Sequence, residues 1–323
     1  MNDSPPTATA SAAAASAAGA RAAIPAAGLA LLGLLTVFWG INFPFMKLAL
    51  GGFDPWIFRI VCLGVGAAGL FVLAVAGGQR LTVPRRDRRM LGWTSLFSIT
   101  GWHICTAFGI GMMPAGRAAI LAYTMPLWAT VMAWAVLGER LTLLRLAGLA
   151  LGLAGMALLI GDEFAKLSAA PWGALLIVAA AVFWAGGTVA LKSHRWSMGI
   201  AALTGWQMAL GGIPVVLGAV AFGRLPAPAD VTPVQWIALA YSATIPMVLC
   251  HWAWNRLVGL VPASVAVIGT LMIPVVGVMS SAPLTGEAIG AREVLALALV
   301  VVALAIVLVL PAWRGPRASA AAP

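Results

Sequence analysis

Charge is the scarcest property of this sequence. Asp, Glu, Lys and Arg make up only 9% of its 323 residues while 62% are hydrophobic, so no soluble core of this size could hide the apolar surface from water. The chain needs lipid as its solvent. Acidic residues are the rarer sign, nine against 19 basic ones, and none falls near the centre of a long apolar run. Cysteine is nearly missing too: Cys62, Cys105 and Cys250 each sit inside an apolar run, with no CxxC pair and no His at metal-ligand spacing. They read as small core residues, and neither a metal nor a cofactor is expected. The net charge of +10 does not point to nucleic acid, because the basic residues separate apolar runs instead of forming a stripe with interleaved aromatics.

What is present is hydrophobic length. A membrane crossing takes about 20 apolar residues at 1.5 Å rise each. Ten runs qualify: 29–48, 55–77, 91–112, 114–137, 143–161, 172–191, 199–222, 234–254, 262–283 and 291–311. The predicted fold class is therefore all-α and integral to the membrane, with the bilayer as its first partner. Residues 1–24, rich in Ala, Ser, Thr and Pro, are expected to be a disordered tail, as is 312–323. A cleaved signal peptide is not expected, since Asp3 stands where a basic cluster would be. With the N-terminus inside, 13 of the 19 Lys and Arg face the cytoplasm, including the dense loop Arg80 to Arg89. The positive-inside rule then puts both termini in the cytoplasm and Gly161-Asp162-Glu163 outside.

The sequence repeats itself. A shift of 148 residues lays Pro114 on Pro262, Ala115 on Ala263, Pro126 on Pro274, Gly138-Glu139 on Gly286-Glu287, His103 on His251 and Arg59 on Gln207. A shift of 145 lays Phe38-Trp39 on Phe183-Trp184 and Lys47 on Lys192. Five spans per copy is an odd number, so the second copy enters the membrane from the other side. Two inverted five-helix repeats, at 25–161 and 171–311, are a recurring transporter design with the substrate near mid-membrane.

The run Pro114-Ala115-Gly116 to Pro126 to Leu137-Gly138-Glu139-Arg140, doubled as Pro262-Ala263-Ser264 to Pro274 to Gly286-Glu287, together with Phe38-Trp39-Gly40, resembles the EamA family of the drug/metabolite transporter superfamily. The resemblance covers roughly residues 29–311. It implies ten helices, a cavity lined mainly by helices 1, 3, 4, 6, 8 and 9, a bacterial inner-membrane location, and export of amino acids or related metabolites. The superfamily's small four-helix multidrug transporters use a buried Glu in their first helix. Positions 39–47 offer none, which counts against cationic-drug export by that route.

Polar residues inside spans are the candidates for the site, because hydrocarbon penalises a polar group that serves no partner. His103 leads, with His251 as its repeat mate. Asn42 follows, beside Pro44, which should kink the first helix and free the Gly40 carbonyl. Tyr123 should add a hydroxyl, while Trp39, Trp102 and Trp184 should supply apolar walls. Pro126 and Pro274 are expected to kink helices 4 and 9 by releasing the carbonyls of Ala122 and Thr270, and so to act as hinges. Lys47 and Lys192 are expected to snorkel to headgroups, and Arg59 and Arg117 to guide a carboxylate or pair with lipid phosphate. Gly148, Gly152 and Gly155 signal close helix packing and a candidate dimer face, leaving the protein a monomer or a homodimer.

Two rival functions differ in kind. An intramembrane lipid- or acyl-modifying enzyme could use His103 or His251 as base, but HExxH, GxSxG, a buried Asp pair and a large polar loop are all missing. A channel would want a ring of like charge or a Gly-rich filter, and neither occurs.

Overall fold

A computed structural model describes residues 26–137, 143–165, 171–260 and 272–306, and among these there is no β-strand. We number the helical paths in chain order. The first half begins with α1 (Ala26–Leu50) and α2 (Pro55–Ala76), joined by a turn in which the Asp54 carboxylate accepts from the Trp56 amide. α3 runs through Arg88–Thr94, a π-helical stretch Ser95–Gly101, and Trp102–Met112. α4 comprises Ala115–Ala122 and Met125–Leu137, and α5 spans Leu143–Ala165. The second half holds α6 (Trp172–Ser193) and α7 (Ile200–Phe222). α8 then runs through Pro233–Thr244, a π-helical stretch Ile245–Cys250, and His251–Leu260. α9 (Ile273–Thr285) and α10 (Ala291–Leu304) close the described chain.

Six of these paths, α1, α2, α4, α6, α7 and α8, are long and apolar enough to cross a membrane, and α5 and α9 contain shorter apolar helices. The protein is therefore a helical multi-pass membrane protein. The tails 1–24 and 312–323, the Gly138-Glu139 pair, Pro262-Ala263 and Thr270 lie outside the described residues. Asp162 and Glu163, expected in a loop, instead belong to the end of α5.

Helix contacts occur in matched sets. α1 packs on α8 and α9, and α6, its counterpart in the second half, packs on α3 and α4; α2 meets α7, and α5 meets α10. Small residues let these pairs approach. A Cβ at Gly40 would lie 2.6 Å from Val276, and one at Gly187 would lie 2.9 Å from the Ser98 amide nitrogen. Gly152 and Gly155 spend their bare face inside the chain, toward Leu127 and Ala303 and toward Ala296 and Leu299, which corrects their assignment to a dimer face.

Two proline expectations change in form. The path of α4 is interrupted at Tyr123-Thr124 and restarts at Met125, so Pro126 opens a new segment where its missing N–H would have no partner anyway. Pro274 likewise stands in the first turn of α9. α1 continues through Pro44, and the Gly40 carbonyl faces Gly277 of α9, where a Cβ would lie 3.5 Å from it, instead of meeting the Asn42 amide.

The basic loop after α2 is tied to the second half. Asp87 is fully buried, and its carboxylate accepts from His194 Nε2 at 2.8 Å and from the Ser197 hydroxyl at 2.5 Å. Ser197 thus serves the carboxylate, not the imidazole, and the trio lacks the relay of a nucleophilic serine. Burial alone would raise the Asp87 carboxyl, but the hydrogen bonds from Ser197 and His194 outweigh it and hold the group below its usual range. A depressed carboxyl adds stability above its unfolded value, and that stability disappears as pH falls through the folded one. Asp87→Asn is expected to lower the melting temperature in detergent by a few degrees at pH 7 and to match the parent in acid. An equal gap at both pH values would show that the charge is not what matters.

Candidate functional site

The site begins with helix periodicity. On α1, Trp39, Asn42, Phe43 and Met46 fall at i, i+3, i+4 and i+7, so they share one face. That face looks into a cavity of about 580 Å³, counting the space at its mouth, between the two halves. α2 contributes Arg59, α3 Trp102 and His103, and α4 Tyr123 and Met125; α6 adds Trp184, and α8 adds Pro246, Met247 and His251. All seven residues expected at the substrate site, Trp39, Asn42, Trp102, His103, Tyr123, Trp184 and His251, line this one space. Its mainly apolar lining, with a few convergent polar groups, suits a small molecule.

The two histidines share a backbone device. Each follows a π-helical stretch, His103 after Ser95–Gly101 and His251 after Ile245–Cys250. An extra residue in a helical turn re-aims the side chains that follow it, which is why such insertions gather at functional sites. His251 donates through Nδ1 to the Pro246 carbonyl at 2.8 Å, so its Nε2 is left as a lone-pair acceptor. His251 Nε2, both ring nitrogens of His103 and Asn42 Oδ1 are buried polar atoms with no hydrogen-bond partner among the described residues. Buried polar atoms in folded proteins are almost always bonded, so several orphans in one cavity mark a place for another molecule's polar groups.

Aromatic rings frame those atoms. Trp39 meets His251 edge-on with centroids 5.8 Å apart, Trp102 lies 5.0 Å from Trp184, and Phe43 lies 6.1 Å from Tyr123. Among the described residues, no Asp or Glu lines the cavity.

Sequence reasoning missed Phe43, Met46, Met125, Pro246 and Met247 as lining residues, and it placed Arg59 on the pathway or at lipid phosphate instead of in this cavity. The helical spacing from Trp39 was a usable signal for Phe43 and Met46. Nothing local marks Met125, Pro246 and Met247, because they enter through the interruption of α4 and the π-helical stretch of α8.

Other polar residues serve a junction at the end of the bundle opposite the 79–90 loop. Lys47 Nζ donates to the carbonyls of Ile110, Gly111 and Met113, each at 3.0 Å, and so closes the end of α3 instead of snorkelling. Arg117 pairs with Glu293 at 2.6 Å, not with lipid. The side chain of Lys192 lies outside the described residues. Gly286 adopts φ 72°, a left-handed end that only glycine takes cheaply, and turns the chain back after α9. Glu287 can then accept from the Ala115 and Gly116 amides at 2.8 and 3.2 Å, placing its charge on the first turn of α4. The repeated motifs of opposite halves meet here: Pro114-Ala115-Gly116 of one with Gly286-Glu287 of the other.

Comparison with known proteins agrees with this architecture. Among curated relatives, the chain is 27% identical over 87% of its length and 94% of theirs to the "Probable amino-acid metabolite efflux pump" of Escherichia coli. It is 27% identical, over 84% of this chain and 88% of that one, to the E. coli "Uncharacterized inner membrane transporter YedA". A third relative is the "Probable terminal-alkyne amino-acid exporter" of Streptantibioticus cattleyicolor, 24% identical over 79% of this chain and 84% of its own. A solved crystal structure, 21% identical, shares the fold with a TM-score of 0.62, covering 88% of this chain and 98% of that one. The model of the EamA-like transporter family matches twice, at residues 26–161 and 171–309. Two consecutive matches to one transporter family, on a helical membrane protein, identify this chain as a member of the EamA-like transporter family and not an enzyme.

Proposed function

We propose that this protein exports small metabolites, foremost amino acids with aromatic or other apolar side chains, by alternating access between two inverted five-helix halves. The carrying observation is the cavity between those halves, walled by Trp39, Trp102 and Trp184 and holding the orphaned polar atoms of Asn42, His103 and His251. An apolar side chain suits the walls, and a substrate's polar end suits the orphans. Ten crossings agree with the matched helix contacts, since α1 with α9 and α6 with α4 are the same contact under a two-fold operation. The names of the relatives favour export of amino-acid metabolites. Both termini are assigned to the cytoplasmic side of a bacterial inner membrane, as a monomer or a homodimer.

Flux of a labelled metabolite panel from proteoliposomes tests the reading. Saturable movement of at least one amino acid is expected, and no movement of any panel member would defeat it. Orientation is checked separately by cysteine labelling in a background lacking Cys62, Cys105 and Cys250. Arg86 is the suitable position, being two-thirds exposed where its neighbour Asp87 is fully covered. Labelling of Arg86→Cys from outside intact cells would reverse the topology.

A further inference from the structure

Arg59 is the largest fully buried side chain described in the molecule, and it carries a full charge. Its Nε donates to the His103 carbonyl at 2.7 Å, and Nη2 donates to the Thr106 hydroxyl at 2.6 Å and contacts Met46 Sδ at 3.4 Å. Those partners are neutral. Among the described residues no carboxylate bridges to Arg59, and none lines the cavity it faces. A guanidinium cannot shed its charge by deprotonating, so burying it without an anion is costly.

The repeat shows what the position needs for architecture alone. Gln207, the counterpart of Arg59, is also buried and donates to a threonine hydroxyl of α3, Thr94, at 2.9 Å. A neutral amide therefore suffices to tie this helix position to its neighbour. The charge on Arg59 exceeds that structural duty, and it faces the cavity that also holds the orphaned acceptors.

We propose that Arg59 is the carboxylate anchor of the central cavity, so that its ligands are small carboxylates bearing an apolar or aromatic group. The ligand's carboxylate accepts from the guanidinium, its side chain lies among the tryptophans, and any amine donates to Asn42 Oδ1 or His251 Nε2. This assignment rests on the cavity's being the substrate site, and it adds the substrate's charge and the residue that reads it.

Three probes share a phenyl ring and differ in their charged end: L-phenylalanine, 3-phenylpropionate and phenethylamine. Binding is read on purified protein by quenching of the cavity tryptophans, with melting temperature as the fold control. Both carboxylates are expected to bind at least about tenfold more tightly than the amine, consistent with a charge-assisted hydrogen bond. Arg59→Gln, the residue of the other half, should erase that preference while melting near the parent. Arg59→Lys should keep the preference with weaker binding, because the charge remains and the fork is lost. Equal binding of the three probes to the parent would overturn the proposal without any variant. So would Arg59→Gln that melts like the parent and still prefers carboxylates. Should neither carboxylate bind while other panel members move in proteoliposomes, the anchor falls and the exporter reading stands.

Discussion

His103→Ala is expected to weaken substrate binding about tenfold or more while leaving the melting temperature close to the parent's. Losing a buried hydrogen bond typically costs about 1–3 kcal/mol, whether the bond is to the protein or to a ligand. His103 is 2% exposed, yet neither ring nitrogen has a hydrogen-bond partner among the described residues, so truncation removes no ring hydrogen bond described in the fold. What the fold draws from this residue is its carbonyl, which accepts from Arg59 and survives any side-chain change. Affinity and stability measured on one purified variant decide the matter. Parent-like affinity with a large drop in melting temperature would assign His103 to the scaffold.

Glu287→Ala is the second large effect, and it concerns access instead of affinity. The Glu287 carboxylate satisfies two amides at the start of α4 that have no helical partner, and it reaches them from the opposite half. Beneath this contact Gly116 and Ser281 approach closely, since a Cβ on Gly116 would lie 3.3 Å from the Ser281 hydroxyl. Ser281 is 1% exposed. Without the carboxylate, the junction between α4 and α9 should open more often. Ser281→Cys, in a background lacking the native cysteines, is expected to resist an impermeant thiol reagent and to react about tenfold faster once Glu287→Ala is added. That factor corresponds to about 1.4 kcal/mol of lost closure, within reach of a charge at a helix end. Glu287→Gln keeps one acceptor oxygen and should fall between the two. Unchanged labelling in both variants would mean that the contact does not hold this end shut.

Much of this was written locally. Membrane insertion was legible because hydrocarbon offers no hydrogen bonds, so each crossing must satisfy its own backbone within one apolar helix. Length and hydropathy then report the crossings, and the 148-residue shift reports their duplication. The polar candidates were legible for the same reason, a polar residue in an apolar run being conspicuous.

Their duties were not. Lys47, Arg59, Arg117 and Glu287 look alike in the sequence, each an ionisable residue at or inside the end of a span. Lys47 is consumed by carbonyls more than 60 residues away, and Arg117 by Glu293, 176 residues on. Glu287 serves amides about 170 residues earlier. His103 keeps both ring nitrogens with no protein partner among the described residues, and Arg59 meets only neutral partners there.

By itself the sequence determined the solvent of this protein, its helical class, its duplicated plan and the short set of side chains able to read a substrate. Only the tertiary structure decided which of those side chains stay unspent, through two π-helical stretches, the interruption of α4 and the left-handed turn at Gly286. The physical reason is that insertion is settled span by span between a helix and lipid, whereas a buried polar group finds its partner across helices distant in the chain.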